Sequence, residues 1–259
     1  MSTLLQDRLK EINTLNETKG QELTVLSQLP DFRQQAESEQ DWSMVAQSYW
    51  QEHLAHQHLV MNSQDPDGAH RRAMLTTALS GQQVVTDHQL TNLLGSSYRF
   101  LGRAYTYNDQ HDAAKTEYQT AFDLLQTSQD PRYLEVSGFL AESLVRTGKV
   151  EAGLNLAYEI FDKYDTDPLA LTLQKADNYV YLVWRTGVFP RLQKALDESD
   201  AEYDKEKLKS YLEKSRALLT DTDKFAYRIT EITKSLSLIV FLLAYYLPLV
   251  TDLSHHPRL

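Results

Sequence analysis

The chain has 259 residues, 42% of them apolar, which supplies a sizeable core and argues against disorder as the main state. A formal net charge of -10 sets the average field against phosphate backbones, so nucleic acid is not an expected partner. Cysteine is absent, which excludes disulfides, thiol nucleophiles and cysteine metal sites together.

Only nine Gly and seven Pro punctuate a sequence dominated by helix formers. Apolar residues recur at spacings of three and four, so an all-α fold is predicted. Asp7 and Glu11 interrupt the N-terminus where a signal peptide would need an apolar run, and cytoplasmic residence is expected. Leu5, Leu9, Ile12 and Leu15 then mark one helical face. Gly20 is placed to bend the chain before Leu23, Leu26 and Leu29, and Pro30 is expected to end this segment. A long helix is predicted over residues 41–61, with Trp42, Val45, Tyr49, Leu54 and Leu59 as core candidates. The loop over residues 62–68 stops it. That loop is not a calcium site, because its twelfth position counted from Ser63 is Met74 rather than an acidic ligand.

Asp65-Pro66, Asp130-Pro131 and Asp167-Pro168 each join a capping residue to one tolerated in the first turn of a helix, so all three are read as helix starts. Gly148 and Gly187, in Arg-Thr-Gly-Lys and Arg-Thr-Gly-Val, are placed to close one helix tightly and let the next fold back.

An internal repeat is the strongest pattern. Tyr98, Leu101, Gly102 and Tyr105, followed by Ala114, Tyr118 and Ala121, resemble the tetratricopeptide repeat closely. A step of 39 residues carries Leu101, Gly102, Tyr105, Ala114 and Tyr118 onto Leu140, Ala141, Leu144, Gly153 and Ala157. A second step reaches Tyr179, Val180, Val183, Leu192 and Leu196. The period exceeds the family's usual ~34 residues. The resemblance implies a right-handed superhelix of antiparallel helix hairpins. It is organised as an N-terminal helical segment (1–40), repeats (41–200) and C-terminal helices (201–259) that include an apolar capping helix.

Scaffolds of this kind bind partners along the surface formed by the first helix of each hairpin. The resemblance places Arg99, Arg103 and Tyr107 there in one repeat, Glu142 and Arg146 in the next, and Asp177, Asn178, Tyr181 and Arg185 in the third. Arg and Tyr anchor interfaces, and Asn pairs with extended backbone. The plainer reading makes these solvated residues or internal ion pairs, such as Arg146 with Glu142 at i, i+4. The expected function is capture of a protein or peptide partner without catalysis, cofactor or metal.

Two alternatives compete. His53, His56 and His70, with Glu52 alongside, suggest a metal-dependent helical protein, but no second motif of matching spacing supports them against a run of polar helix residues. Residues 235–251 carry no charge; as a helix of seventeen residues they span about 25 Å, short of a ~30 Å hydrocarbon layer. Capping of the array or homodimer formation is therefore expected of this segment ahead of a membrane tether. No phosphate cradle, nucleophile elbow or paired-carboxylate framework is present in the sequence.

Overall fold

The computed structural model describes the backbone of residues 3–199 and 201–252 and the side chains of residues 4–199 and 201–242. Every regular element among the described residues is helical. The chain divides into two compact units, residues 1–133 and 134–259.

Unit 1 contains α1 (Thr3–Asn16), α2 (Glu22–Ser38), α3 (Trp42–Met61), α4 (Ala69–Asp87), a 3-10 turn (Thr91–Leu93), α5 (Leu94–Tyr107) and α6 (His111–Thr127). Consecutive helices pack as hairpins, and α1 also packs on α3. The spacing of apolar residues explains the layering. Val25, Leu29, Phe32 and Ala36 form one stripe of α2, buried with Leu5 and Ile12 of α1 and Met44, Val45 and Ala55 of α3. Ala46 and Trp50, on another face of α3, join Met74, Ala78 and Val85 of α4 and Phe100, Leu101 and Ala104 of α5 in a second cluster. This buried stripe carries α2 straight through Pro30, which was expected to end it. Tertiary burial on both sides of Pro30 outweighs the lost N–H donor and the ring's crowding.

The resembling hairpin is α5 with α6. A Cβ on Gly102 would stand 2.6 Å from the Tyr118 ring, and one on Gly95 would stand 2.7 Å from Leu125. The two glycines therefore let a tyrosine and a leucine of α6 lie directly on the α5 backbone. Tyr118, Ala114 and Ala121 are buried there, and the Tyr118 hydroxyl lies 3.2 Å from Thr106 Oγ1.

α7 (Arg132–Arg146) opens at the boundary between the units, and α8 (Val150–Lys163), α9 (Pro168–Ala176), α10 (Asn178–Thr186), α11 (Val188–Asp197), α12 (Lys205–Leu218) and α13 (Ala226–Asp252) follow. Gly153 of α8 meets the backbone of α7, where an added Cβ would lie 2.6 Å from Ala141 O. The core of this unit is aromatic. Tyr158, Phe161, Phe189 and Tyr211 pack with ring centroids 4.5–5.6 Å apart, and Tyr164 stands edge-on to Tyr181.

Among the described residues one closure recurs six times. Gln40, Ser63, Gln89, Asp109, Gln129 and Gly148 each sit in the left-handed region after α2, α3, α4, α5, α6 and α7 respectively. In each case the next residue's N–H reaches back five residues to a helix carbonyl, from Asp41 to Ala36 through Lys149 to Leu144, at 2.8–2.9 Å. Gly187 departs from this expectation. Its φ is -82°, α11 begins at the next residue, and the Arg228 guanidinium fills the space where a Cβ would stand, 2.8 Å away. The 39-residue spacing also loses its helical counterpart here, because Asp177 breaks the expected first helix into α9 and α10.

All three Asp-Pro aspartates bond N–H groups at the start of the following helix, but only Asp167 is an N-cap with its proline inside the first turn; α4 starts at Ala69 behind N-cap Gly68, so Pro66 lies outside it. Asp65 accepts from the N–H groups of His70 and Arg71, Asp130 from Arg132, and Asp167 from Leu169 and Ala170.

Among the described residues, no helix is long and apolar enough to cross a membrane. Ile232, Ser235 and Ile239 of α13 are buried, whereas Leu238, Val240 and Phe241 are exposed, so the described part is one-sided rather than covered all round. The side chains of residues 243–250 in the expected capping segment, among them Tyr245, Tyr246 and Pro248, lie outside the described residues.

Candidate functional site

In unit 1 the first helices of successive hairpins are neighbours. Asn16 of α1 donates through Nδ2 to Gln51 O at 2.9 Å and to Gln51 Oε1 at 2.8 Å, and Gln51 Nε2 donates to Asn13 Oδ1 at 3.2 Å. This amide ladder ties α1 to α3. Further along, Phe100 of α5 stacks on Trp50 of α3 with centroids 5.3 Å apart and meets His53 edge-on at 5.2 Å. Between α1 and α3 lies an open depression of about 360 Å³, lined by Gln6, Leu9, Lys10, Asn13, Met44, Gln47 and Gln51. Its lining is mostly amide, with one cation. Carboxamides carry donors and acceptors together, the complement of an extended peptide backbone.

The nine residues expected on the binding surface divide between the two units. On α5, Arg99 is half-buried over the Phe100 ring at 5.0 Å, Tyr107 is half-buried against the α3–α4–α5 cluster, and Arg103 is 9% exposed.

In unit 2 the corresponding face of α7 is occupied from within. Val188 and Arg191 of α11 lie against Gly138, and the Arg191 guanidinium sits 4.6 Å above Phe139. Glu142 accepts from Arg146 Nε at 3.0 Å and faces Arg191 Nε at 3.8 Å, while Arg146 also pairs with Glu198. Here the ion-pair alternative weighed for Glu142 and Arg146 describes the geometry.

Tyr181 and Arg185 are internal, 2% and 4% exposed. Arg185 clamps Asp165 through Nη1 at 2.7 Å and Nη2 at 2.5 Å, donates to the Tyr181 hydroxyl at 2.9 Å and lies 4.5 Å over Phe161. The guanidinium's hydrogen bonds hold the Asp165 carboxyl below its ordinary range. Tyr181 in turn donates to Tyr164 O at 3.3 Å. Asp177 and Asn178 are exposed, and the Asp177 carboxylate caps α10 by accepting from Val180 N at 3.0 Å. Tyr181 and Arg185 are therefore engaged within the unit, whereas Asp177 and Asn178 remain on its surface.

The histidines separate likewise. His53 is fully buried, its Nδ1 3.1 Å from Met74 O, so Nδ1 carries the proton and donates. Burial, together with the nearby Arg103 charge, pushes its pKa down to about 3. It therefore packs as a neutral core group. His56 instead meets His70 across the α3–α4 hairpin, with Nδ1 atoms 3.0 Å apart. Burial and the neighbouring His70 lower the His56 pKa.

Sequence reasoning missed Gln6, Lys10, Asn13, Gln47 and Gln51. A signal was available: Gln6, Lys10 and Asn13 recur at i, i+4, i+7 beside the apolar stripe of α1, and Gln47 and Gln51 at i, i+4 on α3. The resemblance began only at Tyr98 and drew attention away from them. No protein-family model matches the chain, and no curated protein matches it either.

Proposed function

We propose that the chain is a non-catalytic scaffold that binds an extended protein or peptide segment on the first-helix face of unit 1, across α1 and α3 towards α5. The observation that carries this reading is the amide-lined depression between α1 and α3. Its Gln51 is held in place by Asn13 and Asn16, so part of the ordering cost of binding is already met. The Lys10 ammonium on its lining favours a segment bearing acidic side chains. A tetratricopeptide-like superhelical arrangement belongs to the same proposal. It is supported by the Tyr98 to Ala121 pattern and by the direct packing of α1 on α3.

The test is selection of phage-displayed random peptides on the full chain. Enriched peptides should bind at micromolar strength and lose roughly tenfold or more on Asn13→Ala with Gln51→Ala, or on Gln47→Ala. No enrichment, or binding indifferent to these changes, would overturn the reading.

A second mode of association has its own support. Leu238, Val240 and Phe241, exposed on one side of α13, suit a homodimer through the C-terminal helix. Sedimentation should then show a dimer that Phe241→Asp converts to monomer.

A further inference from the structure

We propose that His56 of α3 and His70 of α4 form a two-imidazole site for a divalent transition-metal ion such as zinc, copper or nickel, bridging the loop end of the α3–α4 hairpin. The pair is outside the binding face described above, and the inference stands apart from the scaffold reading.

The geometry is the ground. The two Nδ1 atoms lie 3.0 Å apart with ring centroids at 5.1 Å. Two imidazole nitrogens bound to one ion at ~2.0–2.1 Å stand about 2.9 Å apart at a right angle and about 3.4 Å apart at the tetrahedral angle. The observed separation falls inside that interval, so small ring rotations about a soft torsion suffice for chelation. Imidazole ligands select zinc, copper and nickel over magnesium and calcium.

Two carboxylates stand nearby. Glu52 stands one turn before His56, and Asp65 lies in the loop before α4; both carboxylates are close enough to act on His56 through their charge. Neither is a ligand as placed, because Glu52 pairs with Arg33, and Asp65 accepts from the His70 and Arg71 N–H groups and lies 3.6 Å from the Arg71 guanidinium. Among the described residues no group of three or more His, Asp or Glu is arranged around a metal. The protein donor set is therefore the two imidazoles, and water completes the coordination sphere.

The exchange balances without redox chemistry. In the empty pair one Nδ1–H donates to the other Nδ1. As the ion enters, that ring's proton leaves Nδ1 and a solvent proton takes Nε2, which yields the other tautomer. Both Nδ1 lone pairs then bind the ion, and two of its water ligands leave.

Titration of the full chain with Zn2+ in metal-free buffer at about pH 7.5 tests this. One binding event per chain is expected. His56→Gln and His70→Gln should each weaken it roughly tenfold or more through loss of the chelate, with the helical circular dichroism unchanged. His58→Gln should leave it intact, as should replacement of the adjacent His255 and His256 by Gln. Retention of the event in the His56→Gln/His70→Gln double variant, or its loss in the His255→Gln/His256→Gln variant, would overturn the proposal. An independent readout needs no change at the pair itself. Cu2+ bound to the His255→Gln/His256→Gln chain should show two equatorial imidazole nitrogens by electron paramagnetic resonance, and a spectrum with one or none contradicts the site.

Discussion

Gln40, Gln89 and Gln129 close α2, α4 and α6 in the same left-handed backbone conformation, with φ of 55°, 51° and 55°. A side chain with a Cβ is strained there by roughly 1–2 kcal/mol, and glycine is not. Each Gln→Gly change should therefore raise stability by about 0.5–1 kcal/mol, after allowance for the greater freedom of glycine in the unfolded chain. Urea unfolding midpoints measure it. Gly148, at φ 80°, performs the same closure with no atom within 4 Å of a would-be Cβ. Gly148→Ala should then cost about 1 kcal/mol through the backbone alone. Of these closures only Gly148 was legible in the sequence, because glycine advertises a left-handed turn and glutamine does not.

His53 gives the pH dependence. In the unfolded chain its imidazole takes a proton near pH 6.5, and in the folded chain only near about 3, so the unfolded state binds more protons between those values. Stability from the neutral ring is complete above pH 6.5 and is lost as the pH falls, by about 1.4 kcal/mol per unit and hence about 2 kcal/mol by pH 5. His53→Gln removes the titrating group, and its stability curve should be flatter by about one proton between pH 6.5 and 4.5. An equally steep curve in the variant would show that other groups carry the dependence.

At the scale of elements, the α5–α6 hairpin is where sequence and structure agree most closely. The residues that announced it are those that pack: Gly102 under the Tyr118 ring, with Ala114 and Ala121 buried alongside. Gly102→Ala should cost roughly 1–3 kcal/mol, since Tyr118 must shift from a contact that leaves no room for a methyl group. Combined with Tyr118→Leu, the two losses should fall short of their sum, because the smaller residue relieves the clash. Full additivity in a double-mutant cycle would mean that the two positions are not in contact.

Pro30 and Gly187 show the limits of local signals. Proline ends helices in isolation, yet Val25, Leu29, Phe32 and Ala36 carry α2 past it by burial that no local rule counts. Gly187 looks like a second Gly148, but its lack of a side chain admits Arg228 instead of a tight turn. A glycine's identity does not say which use is made of it.

At the scale of the molecule, an all-helical fold was legible from spacing and composition, and the expected binding surface only in part. Its unit 1 members, Arg99, Arg103 and Tyr107, all lie on α5, and in unit 2 several of its members are engaged within the fold. There α11 lies against Gly138 and Glu142 of α7, and Arg185 turns inward onto Asp165 and Phe161. Such contacts depend on where later helices return, which no repeat pattern encodes. The amide pairs of Asn13, Asn16 and Gln51 were likewise invisible, because they join residues 35 to 38 positions apart.

The scaffold reading is tested most directly by photo-crosslinking. A peptide selected on the full chain, with a benzophenone side chain at each position in turn, is irradiated in complex and the adducts are mapped by mass spectrometry. Adducts are expected within residues 6–13 of α1 and 44–51 of α3, extending to residues 99–107 of α5. Adducts confined to residues 134–242, or peptides that bind without marking α1 or α3, would contradict it.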